Sequence, residues 1–293
     1  MDGIRWGSNQ EFDTEFKEET VKDNLGVRVK CGIQPGKVKS GSLTLSERDM
    51  RLLKVILEQK FITRPQVIEY FFGQAKSYAE MRIRRLKKAG FLKAVKPFTL
   101  EPEIYLLGQE GYAALRYTKN DKVYLETDES VTLHPAKEID FGSYEHDKTV
   151  NEVRFLLDKI EIGYNWVSEK TLRTLRGSSA KVPDGMCMIN NNRVFVEVEL
   201  NTKKAKTYEK IFNYYAERND THEFVLYVCS TQRLINRLIG VYEQTRAGEI
   251  YFILYEDLQE SGEWAYLKTR SGDGGMMTLR DISGSPNKIS RRY

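Results

Sequence analysis

The chain has 293 residues, 40% of them hydrophobic and 30% charged, with a net charge of only +4. That length favours about two domains, and the composition supplies a core inside a charged surface. No apolar run reaches the roughly 18–20 residues that cross a bilayer, so no membrane partner is expected, and three scattered cysteines, Cys31, Cys187 and Cys229, exclude a disulfide framework or a zinc ribbon.

Residues 1–42 mix charges and glycines without a regular pattern and read as a polar arm. Their start, MDGIRWGSNQEFDTEF, lacks the basic and apolar blocks of a signal peptide, so a cytoplasmic protein is expected. A compact unit is predicted over residues 43–117. Ser46 to Asp49 opens a first helix in the manner of a capping box, and Met50, Leu52, Leu53, Val55, Ile56 and Leu57 give it an apolar face. Thr63 to Gln66 opens a second, with Pro65 in its first turn and Gly73 at its end. Ser77 to Glu80 reads as the capping box of a third, running through Met81, Ile83 and Leu86 to Gly90. Strands at 91–95 and 104–107 follow around a proline-containing turn, then a short helix at 109–116. Three helices and a hairpin are the order of a winged helix-turn-helix, whose third helix reads DNA.

Residues 118–143 read as a linker with a strand at 122–126. A second unit is predicted over residues 144–268, beginning with a helix at 146–160. Strands follow at 165–170, 182–189 and 193–200, the last two joined by a turn at Asn190–Asn192. A helix at 203–219, a strand at 223–229, a helix at 232–244 and a strand at 250–255 complete it. This order predicts a mixed α/β layer fold. The basic, Gly- and Ser-rich residues 269–293 read as a loosely held tail.

Charge is unevenly distributed. Residues 77–96 hold seven basic side chains and one acid, Glu80. Arg82, Arg85 and Lys88 recur every three residues, Arg84 and Lys87 flank them, and Met81, Ile83 and Leu86 are left to pack. Ser77 and Tyr78 lead into this helix, and Lys93 and Lys96 continue its charge on the hairpin. A charge run is commonly no more than a solvated helix face. Here it coincides with the third helix and a basic hairpin, the footprint of double-stranded DNA binding, with arginine reading guanine and lysine neutralising phosphate. A winged helix that binds protein is the alternative.

In the second unit, KVPDGMCMINNNRVFVEVELNTKK (181–204) sets Asp184 and Glu197 at similar distances from the turn. Carboxylates on neighbouring strands can share one Mg²⁺, which polarises a phosphodiester and lowers the pKa of a bound water. Glu197 and Glu199 face one side of the strand and Val196 and Val198 the other, so a row of solvated acids is the plain alternative. Glu152 on the opening helix is a candidate third ligand. His146 is expected in a capping or hydrogen-bonded role, with substrate orientation as the alternative, and Tyr214 and Tyr215 are expected to pack. No histidine cluster, phosphate loop or nucleophile elbow is present.

The order Pro-Asp, Glu-x-x, then Lys after an opening helix resembles the PD-(D/E)xK nuclease superfamily. The stretches HDKTVNEVRFLL from His146, VPDG from Val182 and VFVEVELNTKKAKTYEKIFNYY from Val194 resemble the replication-relaxation proteins of bacterial mobile elements. With the winged helix, this resemblance covers residues 43–256. It implies an α+β, mixed α/β chain: a winged helix-turn-helix followed by a restriction-endonuclease-like domain. In that pattern a lysine stands two residues after the acid; Glu199 stands there here, and Lys203 or Lys204 is implied in its stead. Two outcomes remain open. One is a double-stranded DNA-binding protein, a candidate homodimer, that regulates replication, mobilisation or transcription and cleaves nothing. The other is a Mg²⁺-dependent endonuclease built on Asp184, Glu197 and Lys203 or Lys204, with Glu152 on the metal.

Overall fold

The computed structural model describes residues 39–40, 43–117, 122–124, 130–160, 163–176, 181–190, 192–216, 223–245, 248–270 and 277–282. Most of the N-terminal arm, Asn191 and the ends of the tail lie outside them. Two short paired strands, β1 (Lys39–Ser40) and β2 (Leu43–Thr44), lead into α1 (Glu47–Gln59). The expected capping box is there: Ser46 Oγ accepts from the Asp49 N–H, and the Asp49 carboxylate accepts from the Ser46 N–H. A strand that sequence alone does not foresee, β3 (Ile62–Thr63), precedes α2 (Arg64–Phe72), which carries the Thr63–Gln66 box and ends at Gly73 in the left-handed region.

α3 (Lys76–Lys88) corrects one expectation: its N-cap is Ala75, no side chain caps it, and Ser77 lies inside the first turn. The reason is local. Gly73 and Gln74 both take positive φ, and the tight turn they make starts the helix before Ser77 is reached. Glu80, the expected partner in that box, pairs with Arg64 of α2 instead. The hairpin of β4 (Leu92–Val95) and β5 (Ile104–Leu107) forms a sheet in the order β3-β5-β4, and α4 (Gln109–Tyr117) follows. Leu52, Leu53, Ile56, Ala79, Leu86 and Phe91 are among the residues that close this core. The expected linker holds a second small hairpin, β6 (Lys122–Tyr124) with β7 (Ser130–Thr132). Leu133, just beyond it, is buried in the same core.

The second unit begins at α5 (Tyr144–Lys159) and β8 (Gly163–Ser168). The strand expected to reach Lys170 stops at Ser168, whose hydroxyl accepts the Thr171 N–H and turns the chain into α6 (Glu169–Arg176). β9 (Gly185–Ile189), β10 (Asn192–Glu199), α7 (Ala205–Ala216), β11 (Glu223–Cys229), α8 (Gln232–Tyr242), β12 (Ile250–Leu254) and α9 (Tyr255–Ser261) follow. The sheet order is β12-β11-β10-β9-β8, parallel from β10 to β12 and antiparallel from β8 to β10. Alternation along β10 divides the packing. Val194, Val196 and Val198 meet Val150, Val153 and Leu258 from α5 and α9; Phe195 meets Tyr208, Phe212 and Leu234 from α7 and α8. The sheet therefore lies between two helical layers.

Part of the expected loose tail is built into this unit. β14 (Met277–Thr278) pairs with β13 (Tyr266–Leu267), Asp281 accepts from the Thr278 N–H, and Leu279 and Ile282 enter the core. α5 belongs to both units. Phe155 joins the first core, stacked on Tyr70 at 4.3 Å, while Asn151 Nδ2 donates to the Phe61 carbonyl at 2.8 Å. Among the described residues no helix is long and apolar enough to cross a membrane.

Candidate functional site

α3 buries Ala79, Ile83 and Leu86 and presents Ser77, Tyr78, Met81, Arg84, Arg85 and Lys88 outward. Met81, expected to pack, is 40% exposed. Arg82, expected to face DNA, is turned inward. Its Nε lies 3.1 Å from Asp49 Oδ1 and its Nη2 donates to the Thr44 carbonyl at 2.7 Å, because position 82 lies between the buried positions 79 and 86. Asp49 is wholly buried; burial pushes its carboxyl pKa up, but hydrogen bonds from Arg82 and Ser46 outweigh that and lower it. Lys87 is also engaged, with Glu103 at 2.7 Å, and Lys96 donates to the Glu101 carbonyl. The Tyr78 hydroxyl accepts from Arg48 at 3.1 Å. Arg84, Arg85, Lys88 and Lys93 are exposed, and among the described residues their side chains enter no ion pair or hydrogen bond. The hairpin turn is held against the second unit, with Phe98 packed edge-on to Phe141 and Tyr144.

The acidic cluster forms where β9 meets β10. Their ladder runs to Val196 opposite Gly185, and one further step of the same register sets Asp184 across from Glu197. Gly185 is needed for this: a Cβ there would stand 2.1 Å from the Trp166 ring of β8. Glu197 and Glu199 share a face, as alternation predicts, but that face lies under α7 and not in water. Their exposures are 6% and 4%, which removes the reading of a solvated acidic row.

Each carboxylate of the cluster has a cation from this chain. Lys181 Nζ lies 2.9 Å from Glu197 Oε1 and 3.1 Å from Oε2, and the Tyr215 hydroxyl donates to Oε1 at 2.6 Å. Burial, and then the charge of Asp184, raises the Glu197 pKa. Asp184 Oδ2 accepts the Val198 N–H at 2.8 Å and lies 3.2 Å from His146 Nε2. Burial pulls the His146 pKa down, but Asp147 and Asp184 outweigh it and bring it to about 10, so the ring is a cation at neutral pH. Lys203 Nζ lies 2.7 Å from Glu199 Oε2, and burial raises that carboxyl's pKa as well.

The remaining expected site residues fall elsewhere. Lys204 is exposed, with no side-chain partner among the described residues. Glu152 is not brought to the cluster. It stands six residues along α5 from His146, hence on another face, and its two oxygens accept from Gln66 at 2.9 Å and Tyr70 at 2.7 Å. Among the described residues no three His, Cys, Asp or Glu side chains gather as a metal-holding group. Sequence reasoning missed Lys181, although it stands only three residues before Asp184. It also missed the hydroxyl of Tyr215, a ring correctly expected to pack, whose buried O–H needs an acceptor.

No curated protein and no solved structure matches the chain. Residues 53–224 match the replication-relaxation family. That stretch runs from α1 into β11 and takes in α3 and the whole acidic cluster. Covering more than half of the 293 residues, it makes the chain a member of the replication-relaxation family.

Proposed function

We propose that this protein binds double-stranded DNA through the outward face of α3 and acts, in the bacterial cytoplasm, in the replication or mobilisation of a DNA element or in its transcriptional control. One observation carries the reading: Arg84, Arg85 and Lys88 form an exposed basic stripe that enters no ion pair among the described residues, on the third helix of a three-helix, hairpin-bearing unit. Lys93 extends the charge to β4. Membership of the replication-relaxation family supports the same direction. Residues 43–117 are then a winged helix-turn-helix and residues 144–268 a nuclease-like domain that holds the first unit in place and does not cleave.

The test is a duplex titration at several salt concentrations. Removing Arg84, Arg85 and Lys88 together by alanine weakens binding at least about tenfold and flattens the salt dependence by roughly 0.9 per lost phosphate contact. Unchanged affinity and slope would refute the DNA reading. The non-cleaving reading is tested with supercoiled and linear DNA in Mg²⁺ or Mn²⁺: cleavage that vanishes in Asp184→Ala/Glu197→Ala would replace it with the endonuclease.

A further inference from the structure

The resemblance to metal-dependent nucleases implies a Mg²⁺ held between Asp184 and Glu197, and the residues present do not fit one. Glu197 is buried in the layer between the sheet and α7, where an uncompensated carboxylate is unstable and must have a cation or a proton beside it. Lys181 supplies that cation. Its ammonium straddles both carboxylate oxygens at 2.9 and 3.1 Å, the position a cation shared by both oxygens takes, while Tyr215 fixes the carboxylate from another direction at 2.6 Å. Around it His146 stands on Asp184 and Lys203 on Glu199, so three acids meet three cations. A nuclease site holds its divalent ion with surplus negative charge and several retained waters. This cluster has no surplus. The narrow cleft of about 10 Å³ on which Asp184 and His146 open, lined also by Lys60, Asp147 and Lys170, does not reach Glu197, so it does not join the two carboxylates.

We propose that the Lys181 ammonium takes the place of the divalent ion, so that the cluster is a metal-free strut joining the entry of β9 to β10 and α7, and a latent metal site closed by one side chain. Lys181 comes from the same extended stretch as Asp184, three residues upstream, so one segment brings both the acid and the ion's replacement. The inference is independent of DNA binding by α3, because none of these residues lies on that helix.

The test is a titration of the full chain with Mn²⁺, followed by the spin-resonance signal of the free ion. Wild type is expected to show no saturable site that depends on Glu197. Lys181→Ala is expected to bind Mn²⁺ at least about tenfold more tightly than wild type. Adding Glu197→Gln to that variant returns it to the wild-type level. A saturable wild-type site that Glu197→Gln abolishes overturns the proposal. So does a folded Lys181→Ala that binds no better than wild type. Circular dichroism and a cooperative melt establish folding, and Lys181→Gln, closer in size and still polar, serves if the alanine variant does not fold. Duplex affinity, read on the same samples, is expected to stay at the wild-type value.

Discussion

Arg82 and Arg84 are two residues apart on one helix and have opposite fates. Arg82 shares a largely dry contact with a wholly buried Asp49, whereas Arg84 stands in solvent. Arg82→Ala leaves the Asp49 carboxylate without its cation and is expected to cost about 3–5 kcal/mol in a denaturant melt. Arg84→Ala is expected to stay within about 0.5 kcal/mol and to weaken duplex binding instead. Equal stability of the two variants would contradict the geometry. His146 gives a pH signature. The groups facing it are Asp147 and Asp184 in contact, with Lys60 on Asp147 and Glu199 further off. A folded-state pKa raised to about 10 from the ordinary 6.5 means that this stabilisation is complete below pH 6.5 and lost as pH climbs through about 10. Melting temperature is therefore expected to fall between pH 7 and 10 more steeply in wild type than in His146→Gln; parallel curves would refute the pairing.

At the scale of elements, the entry to β9 depends on one glycine. Gly185 lies flat against Trp166, and a methyl group there would sit inside the ring. Gly185→Ala is expected to destabilise the chain by about 1–3 kcal/mol or more and to disturb the Asp184–Val198 hydrogen bond beside it. A wild-type melt would show that the strand can shift without cost. What the sequence allowed one to read follows from the same physics. The β9–β10 register was legible because turn residues and alternation fix which side chains lie opposite one another, and Asp184 and Glu197 follow from that. Burial of Glu197 was not legible, since alternation tells which residues share a face but not which face α7 covers. The exposed face of α3 differs from the one expected by one position, since spacing alone set Arg82 outside and Met81 inside. The difference arises because spacing by three does not reveal where a helix meets its neighbours, and Asp49 lies thirty-three residues away.

The whole molecule is held together at α5, which serves two cores at once. Its Val150, Val153 and Leu157 pack on the five-stranded sheet, while Phe155 lies with Tyr70 and Phe71 of α2. Polar contacts run the same way: Gln66 and Tyr70 donate to Glu152, Lys60 pairs with Asp147, and Lys170 donates to the Leu57 carbonyl at 2.6 Å. Burial, and then the charge of Lys60, lowers the Lys170 pKa to about 8, so holding this amine between the units weakens its charged form without removing it at neutral pH. A helix so shared removes the independence that a linker at 118–143 suggests, and the two units are expected to unfold as one. Calorimetry of the wild-type chain should give a single transition with equal calorimetric and van't Hoff enthalpies. Phe155→Ala opens a cavity in the first core from a helix of the second, costs about 3–5 kcal/mol, and should lower that one transition. If instead it lowers an early transition and leaves a later one in place, the units are separate and α5 only touches the first.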